Sequence, residues 1–533
     1  MVYGKKVEPI LLNDKQMRQF VADGYVIFKP DVSDEVHRVV HEKLKFMEDE
    51  EYNCGNNVLP RVPEMDRVLN SPEVRGALIS VLGPRYIEHP NRHSHFIPPG
   101  REPVPVAQKC HQDGYTPLAR QRQHYPRFAR IMYYPQDSPV EIGPTHLIPG
   151  SYGHKLLPEE DRQKAVPITG EAGTVCISHF DIGHGAGINK INKSRAMIKF
   201  IYARAEEPME PSWDCQDRTW RNPEQFETPH NLTLMWSHIW DWMCGKKDRY
   251  KSFRASNADP MNGVLDPLNA DDLNTRISAM HSIATSVDLS AIPALISKLN
   301  SDLQWERLTA IYTLGALGEP AVDPLVTALK NSANGEANDP TNEIWNENSI
   351  LMEDASFALA AIGEPSLDPL IELLEDSSEW VRINAAFALG EMDSAAAKAV
   401  SALTRCLDDA SHCVVRTATE ALGTIKQHSE EFLPSLGRLL KTGRPEWKTI
   451  IRRDWSAYDQ VRVNAALAFA RLGKDASSAE EILIDKLADP NGYVAAFVLD
   501  ALRRIGTPLA MESAMEYLLS RRWDESIRIG RLY

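Results

Sequence analysis

Two segments in the second half of the chain, eighty residues apart, have nearly the same sequence. Residues 381–390 read VRINAAFALG, residues 461–469 read VRVNAALAF, and related versions begin at Val415 and Val494. Each segment places small and apolar residues at helical spacing, and one such helix cannot bury its apolar face alone. The recurrence therefore predicts a stack of helical units, and it constrains the fold of this half more than any other feature.

A glycine recurs where these helical segments are expected to end. The closing glycines are Gly318, Gly363, Gly390, Gly423, Gly473 and Gly506. Glycine suits the position after the last helical residue, and proline, which follows the first two glycines by two residues, suits the start of the next helix. The pattern resembles HEAT-type repeats over residues 272–533. The resemblance implies an all-α solenoid.

Three arginines recur at equivalent positions of these repeats, namely Arg382, Arg416 and Arg462. Because they recur with the repeat, we expect them to brace adjacent units rather than to bind a ligand. The polar residues 246–271, which precede the repeats, are interpreted as a linker to the first half.

The charge and the cysteine content limit the classes of function. The 533-residue chain has a formal net charge of −15, which argues against nucleic acid or an anionic membrane as the main partner. Its seven cysteines include no C-x-x-C pair and do not indicate a disulfide framework. The sequence has no signal-like apolar core near its start and no run of eighteen apolar residues. We therefore expect a soluble cytoplasmic protein.

The first half combines helices with short strands. Residues 16–47 read as helix, strand and helix, and later apolar runs at residues 128–134, 174–178 and 197–203 have the length of strands and are bounded by turn formers. This pattern predicts a β-sandwich or barrel in residues 1–245. The expected fold class is thus multidomain α+β, with an all-α second half.

Two histidines and one aspartate in the first half have the spacing of a metal site. His111 and Asp113 lie two residues apart, and on a strand they would point to the same side, so residues 104–109 are interpreted as the strand that leads into them. His184 lies within the glycine-rich segment DIGHGAGIN. Two imidazoles and one carboxylate can occupy one face of an octahedral Fe(II), which leaves positions for an organic acid and O₂.

Arg195 follows His184 by eleven residues and lies beside an apolar stretch. An arginine inside a β-barrel needs a carboxylate partner, and its guanidinium matches a carboxylate in bidentate fashion. A bound dicarboxylic acid would supply that partner. The alternative interpretation of Arg195 is a surface ion pair.

These motifs, in this order, resemble the phytanoyl-CoA dioxygenase family of Fe(II)/2-oxoglutarate oxygenases. The segment FVADGYVI at residues 20–27 is similar to the family's opening helix and strand, and GPTHLIPGS at residues 143–151 is similar to its G-x-x-x-x-x-P-G-S turn. The resemblance spans about residues 10–205. It implies a double-stranded β-helix, or jelly roll, as the fold of the oxygenase domain at residues 1–245.

The resemblance also implies the roles of single residues. His111, Asp113 and His184 would bind Fe(II), and Arg195 would bind the distal carboxylate of the cosubstrate 2-oxoglutarate. Some family members have a serine that contacts the cosubstrate at the position where this chain has Ala186. By their spacing in the sequence, His93 and Met132 are expected to contact the cosubstrate as well. An aspartate at position 113 favours hydroxylation with O₂ over halogenation, because related halogenases have a small residue there.

Two further groups of residues have competing interpretations. His89, His93 and His95 could suggest a second metal site, but without an evident carboxylate partner they are interpreted as pocket-lining or hydrogen-bonded residues. Residues 238–242, which read HIWDW, could form a lid over the substrate or a helix that packs on the barrel or the repeats. Cys110, beside His111, is expected to point away from the metal.

Three functions are compatible with the sequence. The first is a hydroxylase of a small organic substrate, in which the repeats are a scaffold or a surface for self-association. The second is a protein hydroxylase whose polypeptide substrate is recruited by the repeats, and the third is a non-catalytic interaction protein. The second half also resembles deoxyhypusine hydroxylase, which binds two irons through His-Glu pairs. This interpretation is rejected because none of His281, His412 and His428 is followed by Glu.

Overall fold

The first part of the chain contains two antiparallel sheets, and the second part consists almost entirely of helices. This arrangement confirms the predicted combination of a jelly-roll domain with helical repeats. The computed structural model describes residues 8–51, 55–100, 104–114, 121–250, 253, 266–333, 351–448, 450–452 and 455–521. Most of the predicted linker, residues 251–252 and 254–265, lies outside this part of the chain.

Ten strands are described. They are β1 Tyr25–Phe28, β2 Ile87–Ile97, β3 Phe128–Tyr133, β4 Thr145–Leu147, β5 Val166–Pro167, β6 Val175–His179, β7 His184–Ala186, β8 Arg195–Ala203, β9 Ile450–Arg452 and β10 Trp455–Ser456. The larger sheet has the order β1-β6-β3-β8-β2, and the smaller one has the order β5-β4-β7. All neighbouring strands in both sheets are antiparallel. Strands β9 and β10 form a separate hairpin within the repeats.

The helices of the first part surround the sheets. They are α1 Asp14–Asp23, α2 Asp34–Glu50, α3 Val58–Arg61, α4 Met65–Leu69, α5 Pro72–Leu82, α6 Val106–Lys109, α7 Glu159–Arg162 and α8 Thr233–Met243. Helix α5 packs on β3, β6 and β8, so the central strands are covered on their outer face as well as inside. All six residues of β3 are buried for this reason, which explains its continuous apolar run.

The helices of the second part follow each other in pairs. They are α9 Leu273–Ser286, α10 Ile292–Lys298, α11 Gln304–Leu317, α12 Val322–Ser332, α13 Asp354–Ile362, α14 Leu367–Leu373, α15 Glu379–Glu391, α16 Val400–Cys406, α17 His412–Ile425, α18 Ser429–Lys441, α19 Ala457–Leu472, α20 Glu480–Asp485, α21 Gly492–Ile505 and α22 Pro508–Ser520. Among the described residues, no helix combines the length and the apolar character needed to cross a membrane.

The segment before His111 differs from its prediction. Residues 104–109 were expected to form a strand, but Val106–Lys109 form a helical turn, and the Cys110 amide donates to the Val106 carbonyl at 3.1 Å. Pro105 precedes this turn with φ −52°. Its fixed φ and missing N–H suit the entry of a helix better than the interior of a sheet, so the strand prediction was wrong.

Four of the predicted closing glycines end helices with positive φ, but Gly390 and Gly423 lie inside helices α15 and α17. A Cβ built on Gly390 would lie 3.0 Å from the Cα of Ala421, and a Cβ on Gly423 would lie 3.0 Å from the Cβ of Ala468. These two glycines therefore allow neighbouring helices to approach closely, and the prediction that they close helices was wrong.

The recurring arginines brace neighbouring repeats, as predicted. Arg382 donates to Asp409 at 2.8 Å, and Arg462 donates to Asp489 at 2.6 Å and 2.7 Å. Arg416 is buried and donates to the amide oxygen of Gln460 in the next inner helix at 2.9 Å.

One helix of each pair faces the oxygenase part. We call helices α9, α11, α13, α15, α17, α19 and α21 the inner helices, and each packs against the next in the row. Every one of them also contacts a residue between 8 and 250. The contacting residues, one from each inner helix, are Asn274, Tyr312, Phe357, Glu391, Thr417, Arg471 and Tyr493.

Helix α8 fills the space between the sheets and the repeats. All eleven of its residues are buried, and it packs on α1 and on the inner helix α11. The His238 ring stacks with Tyr125 on one side and contacts Tyr312 of α11 on the other. The tryptophan-rich segment is therefore a packing helix and not a lid.

A buried group of charges joins the two parts next to strand β3. The guanidinium of Arg127 donates to both carboxylate oxygens of Glu207 at 3.0 Å and also binds Glu391 of the inner helix α15. Burial raises the pKa of Glu391 to about 7, and the nearby carboxylates of Glu207 and Glu420 add to the rise, whereas Arg127 and Arg249 oppose it. Nearby, Arg249 pairs with Asp393 at 2.6 Å. The apolar core is likewise continuous from the sheets into the repeats.

Candidate metal centre

His111 and His184 are brought together by the backbone. The two residues form an isolated antiparallel bridge, in which the His111 amide donates to the His184 carbonyl at 2.8 Å and the His184 amide donates to the His111 carbonyl at 2.8 Å. His184 begins β7, whereas His111 follows the helical turn α6. The H-x-D segment thus pairs with β7 through one bridged pair of residues, His111 and His184, and does not form a full strand.

The side chains of His111, Asp113 and His184 converge on one point. A ligand atom of each lies within 4.8 Å of those of the other two, and no other such group of three metal-binding side chains occurs among the described residues. His111 Nε2 lies 3.4 Å from Asp113 Oδ1, and His184 Nε2 lies 3.5 Å from Asp113 Oδ2. The imidazole of His184 is buried, while that of His111 is 54% exposed, so the site opens to solvent on the His111 side.

Both imidazoles have their tautomer set by a backbone carbonyl. His111 Nδ1 lies 2.9 Å from the carbonyl oxygen of Lys109, and His184 Nδ1 lies 3.1 Å from that of Ile182. A carbonyl can only accept, so Nδ1 of His111 donates and its Nε2 keeps its lone pair. At His184 the carbonyl contact is shorter than the 3.3 Å contact of Nδ1 with Arg130 Nη1, and Lys199, which can only donate, lies 3.2 Å from Nε2, so the same tautomer is favoured. These lone pairs face Asp113. The three residues therefore offer two nitrogens and one carboxylate oxygen, which is a donor set suited to a divalent first-row transition metal.

Two cations surround Asp113, and neither was predicted from the sequence as a site residue. Arg130 Nη2 donates to Asp113 Oδ2 at 2.5 Å and to the carbonyl of Phe180 at 3.2 Å. Lys199 Nζ lies 3.3 Å from the same carboxylate oxygen and 3.2 Å from His184 Nε2. The sequence contains a signal for both residues. Arg130 is a charged residue within an otherwise apolar predicted strand, and Lys199, four residues after Arg195, lies on the same side of its strand as that arginine.

The charges of these neighbours set the protonation of the site. Burial alone would raise the pKa of the Asp113 carboxyl, but Lys199 and Arg130 hold that pKa well below its usual range. Burial, together with the fields of Arg130 and Lys199, holds the pKa of His184 well below its ordinary value. At neutral pH the site therefore presents a carboxylate and a neutral imidazole, the forms that bind a metal.

Arg195 begins strand β8, and its side chain is 2% exposed. Its Nε and Nη1 atoms are buried and have no hydrogen-bond partner among the described residues. Burial lowers the pKa of this arginine, while nearby Tyr134 acts in the opposite direction. A buried guanidinium with unsatisfied donors is costly unless an acceptor completes it, and a carboxylate is the acceptor that fits its shape.

The other predicted cosubstrate contacts lie on the two sheets. His93 on β2 and Met132 on β3 are both registered opposite Lys199 of β8, so the three share one side of the larger sheet. Ala186 pairs with Thr145 in the smaller sheet, two residues beyond His184. His93 and Met132 thus flank Lys199 on the neighbouring strands, and Ala186 lies on the same strand as His184.

The histidines of β2 do not form a second cluster with His89. The rings of His93 and His95 contact each other, with centroids 4.8 Å apart. His89 instead packs edge-on against Phe497 of the inner helix α21, with centroids 5.0 Å apart. Among the described residues these histidines belong to no group of three metal-binding side chains. His89 accepts a hydrogen bond from the Asn91 amide at 3.0 Å, and the pocket-lining role of His93 and His95 stays a prediction.

Cys110 and the glycines around His184 allow close packing near the site. Cys110 is buried with Ile148 and Leu157, away from the three converging side chains. A Cβ built on Gly185 would lie 3.0 Å from the backbone nitrogen of Cys110, so glycine lets the two backbone segments of the histidine bridge approach.

The comparison with known families agrees with this geometry. Residues 12–197 match the model of the phytanoyl-CoA dioxygenase family, and residues 367–453 match the model of HEAT repeats. Residues 12–197 are a phytanoyl-CoA dioxygenase family domain. This phytanoyl-CoA dioxygenase domain contains the converging His111, Asp113 and His184, and the HEAT repeats contain the braces at Arg382 and Arg416.

Several solved structures are similar to the phytanoyl-CoA dioxygenase domain. The non-heme alpha ketoglutarate dependent epimerase SnoN from nogalamycin biosynthesis is 17% identical, with 36% of this chain and 81% of that chain covered and a TM-score of 0.30. EctD from S. alaskensis with bound Fe is 19% identical, with 43% and 90% covered and a TM-score of 0.31. AviO1 from Streptomyces viridochromogenes Tue57 is 19% identical, with 35% and 93% covered and a TM-score of 0.28. The curated proteins contain no match.

Proposed function

We propose that this protein is an Fe(II)- and 2-oxoglutarate-dependent dioxygenase that hydroxylates a C–H bond of a small organic substrate. The observation that carries the proposal is the convergence of His111, Asp113 and His184 within 4.8 Å inside a phytanoyl-CoA dioxygenase domain. Arg195, a buried guanidinium with unsatisfied donors, supports the choice of a dicarboxylic cosubstrate.

His111, Asp113 and His184 would hold the metal through two Nε2 atoms and a carboxylate oxygen. Iron bound by these residues supplies the oxidising chemistry by which O₂ and 2-oxoglutarate are used to hydroxylate a C–H bond. The carbonyls of Lys109 and Ile182 keep both imidazoles in the tautomer that this requires. Such orienting contacts typically account for a factor of about 10 to 100 in metal affinity.

Arg195 would bind the distal carboxylate of 2-oxoglutarate. Its buried position removes competing water, which strengthens a charge-assisted hydrogen bond. His93, Met132 and Ala186 would line the cosubstrate or the space beside it. Alanine in place of the serine that some family members have would remove one hydrogen bond to the cosubstrate, so Arg195 would contribute a larger share of its binding here.

Asp113 is the reason to propose hydroxylation rather than halogenation, because its carboxylate takes the position that a halide needs. Its partner Arg130 fixes the carboxylate through Oδ2 and is itself held by the carbonyl of Phe180. The product could also be desaturated or rearranged, and identification of the product distinguishes these outcomes.

The repeats are proposed to act as a scaffold for the oxygenase domain. Each inner helix contributes a contact to residues 8–250, so the inner face is occupied by this domain. Recruitment of a polypeptide or self-association would then use the outer helices. A cytoplasmic location is proposed because the six cysteines in the described residues are free thiols.

The proposal is tested with the full chain and anaerobic Fe(II). Addition of 2-oxoglutarate should produce the visible absorption band of iron bound to a keto acid. Exposure to O₂ with an extract of the source cells should then yield succinate and a product 16 Da heavier than its precursor. His184→Ala should abolish both signals, while Lys398→Met, in an exposed ion pair of the repeats, should keep them. Succinate formation that is equal in His184→Ala would contradict the proposal.

The role of Arg195 is tested separately. Arg195→Ala should require much more 2-oxoglutarate for the same rate of succinate formation. Equal rates of the variant and the wild type at low 2-oxoglutarate would show that another residue binds the cosubstrate. If the wild type binds neither Fe(II) nor 2-oxoglutarate, the protein is a non-catalytic interaction protein.

A further inference from the structure

Lys199 occupies a position that conflicts with a bound metal. Its ammonium lies 3.3 Å from Asp113 Oδ2 and 3.2 Å from His184 Nε2. The Nδ1 atom of His184 lies 3.1 Å from the Ile182 carbonyl and 3.3 Å from Arg130 Nη1. An ammonium can only donate, so its contact requires a lone pair at Nε2, which the shorter carbonyl contact at Nδ1 also favours. The ammonium therefore competes with a metal for the lone pair of His184 Nε2. A divalent metal bound by Asp113 and His184 would also repel this neighbouring cation and displace it from its present position.

Among the described residues that face Lys199, Asp113 is the one anion, and it is shared with Arg130. On the same face of the sheet, His93 of β2 and Met132 of β3 lie directly opposite, and His95 lies on the next rung. Burial lowers the pKa of His95 to about 2, with Lys199 adding to the shift, so His95 is a neutral ring. Neither a neutral imidazole nor a thioether balances an ammonium that is only 12% exposed.

The other two cations of the site already have assigned partners. Arg130 is held between Asp113 and the Phe180 carbonyl, and Arg195 takes the distal carboxylate of the cosubstrate in the proposed function. Lys199 lies four residues beyond Arg195 on β8, about 13 Å along an extended strand. It therefore points at the metal site from a different position than the guanidinium that anchors the cosubstrate.

We infer that Lys199 binds an anionic group of the substrate once iron is in place, so that the substrate is a carboxylate, phosphate or sulfate ester rather than a neutral molecule. This inference rests on the proposed function and specifies its substrate class. Because the ammonium lies against the ligand atoms of Asp113 and His184, a metal held by those atoms would repel it toward the substrate.

The first step is tested by metal affinity, without turnover. Lys199→Met removes the charge but keeps an unbranched side chain, and Lys199→Arg keeps the charge. Titration with Co²⁺ should give a dissociation constant about tenfold or more lower for Lys199→Met than for the wild type, because a competing cation is gone. An unchanged or weaker affinity of the folded variant would overturn the inference.

The second step separates substrate from cosubstrate. With Co²⁺ bound, 2-oxoglutarate should bind Lys199→Met as tightly as the wild type, while Arg195→Met should bind it more than about tenfold more weakly. An equal loss in both variants would assign Lys199 to the cosubstrate and overturn its role in substrate binding. Failure of the wild type to bind 2-oxoglutarate would instead contradict the proposed function itself.

The third step uses inorganic phosphate and acetate as probes of the anion site. At least one of them should change the visible cobalt spectrum of the wild type loaded with 2-oxoglutarate, and Lys199→Arg should retain this response. Lys199→Met should not respond. A wild type that ignores both anions, an equal response of Lys199→Met, or a neutral substrate identified by product analysis would overturn the inference.

Discussion

Replacement of Arg127 by methionine should destabilise the whole chain, because this residue joins the oxygenase domain to the repeats. Arg127 immediately precedes β3, and its side chain is 1% exposed. It forms a bidentate pair with Glu207, which is 15% exposed, and a second pair with Glu391, which is 4% exposed. The guanidinium also lies over the rings of Tyr125 and Trp242, at 5.1 Å and 5.6 Å from their centroids.

The size of the effect follows from what the substitution leaves behind. Removal of one partner from a buried ion pair costs about 3–5 kcal/mol, since the remaining charge is buried without compensation. Loss of the two ring contacts adds about 0.5–2 kcal/mol. Methionine recovers part of the apolar contact, and Glu391 can take up a proton instead of remaining charged. We expect Arg127→Met to lower the free energy of unfolding by about 3 kcal/mol.

Urea unfolding measures this change, followed both by tryptophan fluorescence, to which the eleven tryptophans of both parts contribute, and by far-ultraviolet circular dichroism, in which the helices of the repeats dominate. The continuous core predicts that both signals change in a single transition. Lys398→Met is the matched control, because it breaks an ion pair of the same repeats whose side chains are 64% and 65% exposed. This control should cost at most about 1 kcal/mol.

Two results would refute this reasoning. The first is a loss for Arg127→Met no larger than that of the control, which would mean that the buried pair contributes no net stability. The second is separate unfolding of the two signals in the wild type, which would mean that the interface does not couple the two parts.

Three further predictions concern other parts of the molecule. Glu391→Gln should reduce the dependence of the free energy of unfolding on pH. The pKa of Glu391 is about 7 in the folded protein and 4.5 ordinarily, so its protonated carboxyl stabilises the fold at low pH. About 3 kcal/mol of this stabilisation is lost as the pH rises from 4.5 to above 7. Urea unfolding of the wild type and of Glu391→Gln at pH 5 and pH 8 checks this prediction. An equal change in the free energy of unfolding between the two pH values in both proteins would contradict it. Gly423→Val should cost about 1–3 kcal/mol, measured in the same assay, because its Cβ would lie 3.0 Å from the Cβ of Ala468. Asp113→Ala should weaken Co²⁺ binding by more than about 100-fold in calorimetry, and retained binding would exclude Asp113 as a ligand.

The residues that converge at the candidate metal centre could be identified from the sequence because their signals are local. The H-x-D pair, the glycines around His184 and the spacing to Arg195 each occupy a few neighbouring positions. The glycines also carry a physical requirement, since a Cβ at Gly185 would press on the backbone of Cys110. Local patterns of this kind remain readable without knowledge of the register of distant strands.

Arg130 and Lys199 could not be placed in the same way. Their contacts with Asp113 depend on the pairing of β3 with β8 and on the approach of the H-x-D segment to β7, which are separated by many residues. The predicted strand before His111 failed for a related reason, because Pro105 favours a helical turn over ladder pairing. Gly390 was likewise misplaced because its close neighbour, Ala421, belongs to the next repeat.

Strand β3 has a consequence for how such a protein can be cut or recombined. Arg127, which immediately precedes the strand, forms an ion pair with Glu391 of the repeats. Arg130, three residues later, orients the Asp113 carboxylate. A truncated chain that ends after the oxygenase domain would expose the Tyr125 face and release one end of the strand that holds the site. A chimera of this oxygenase domain with the repeats of another protein should therefore preserve activity only when those repeats carry a carboxylate at the position of Glu391, opposite Arg127.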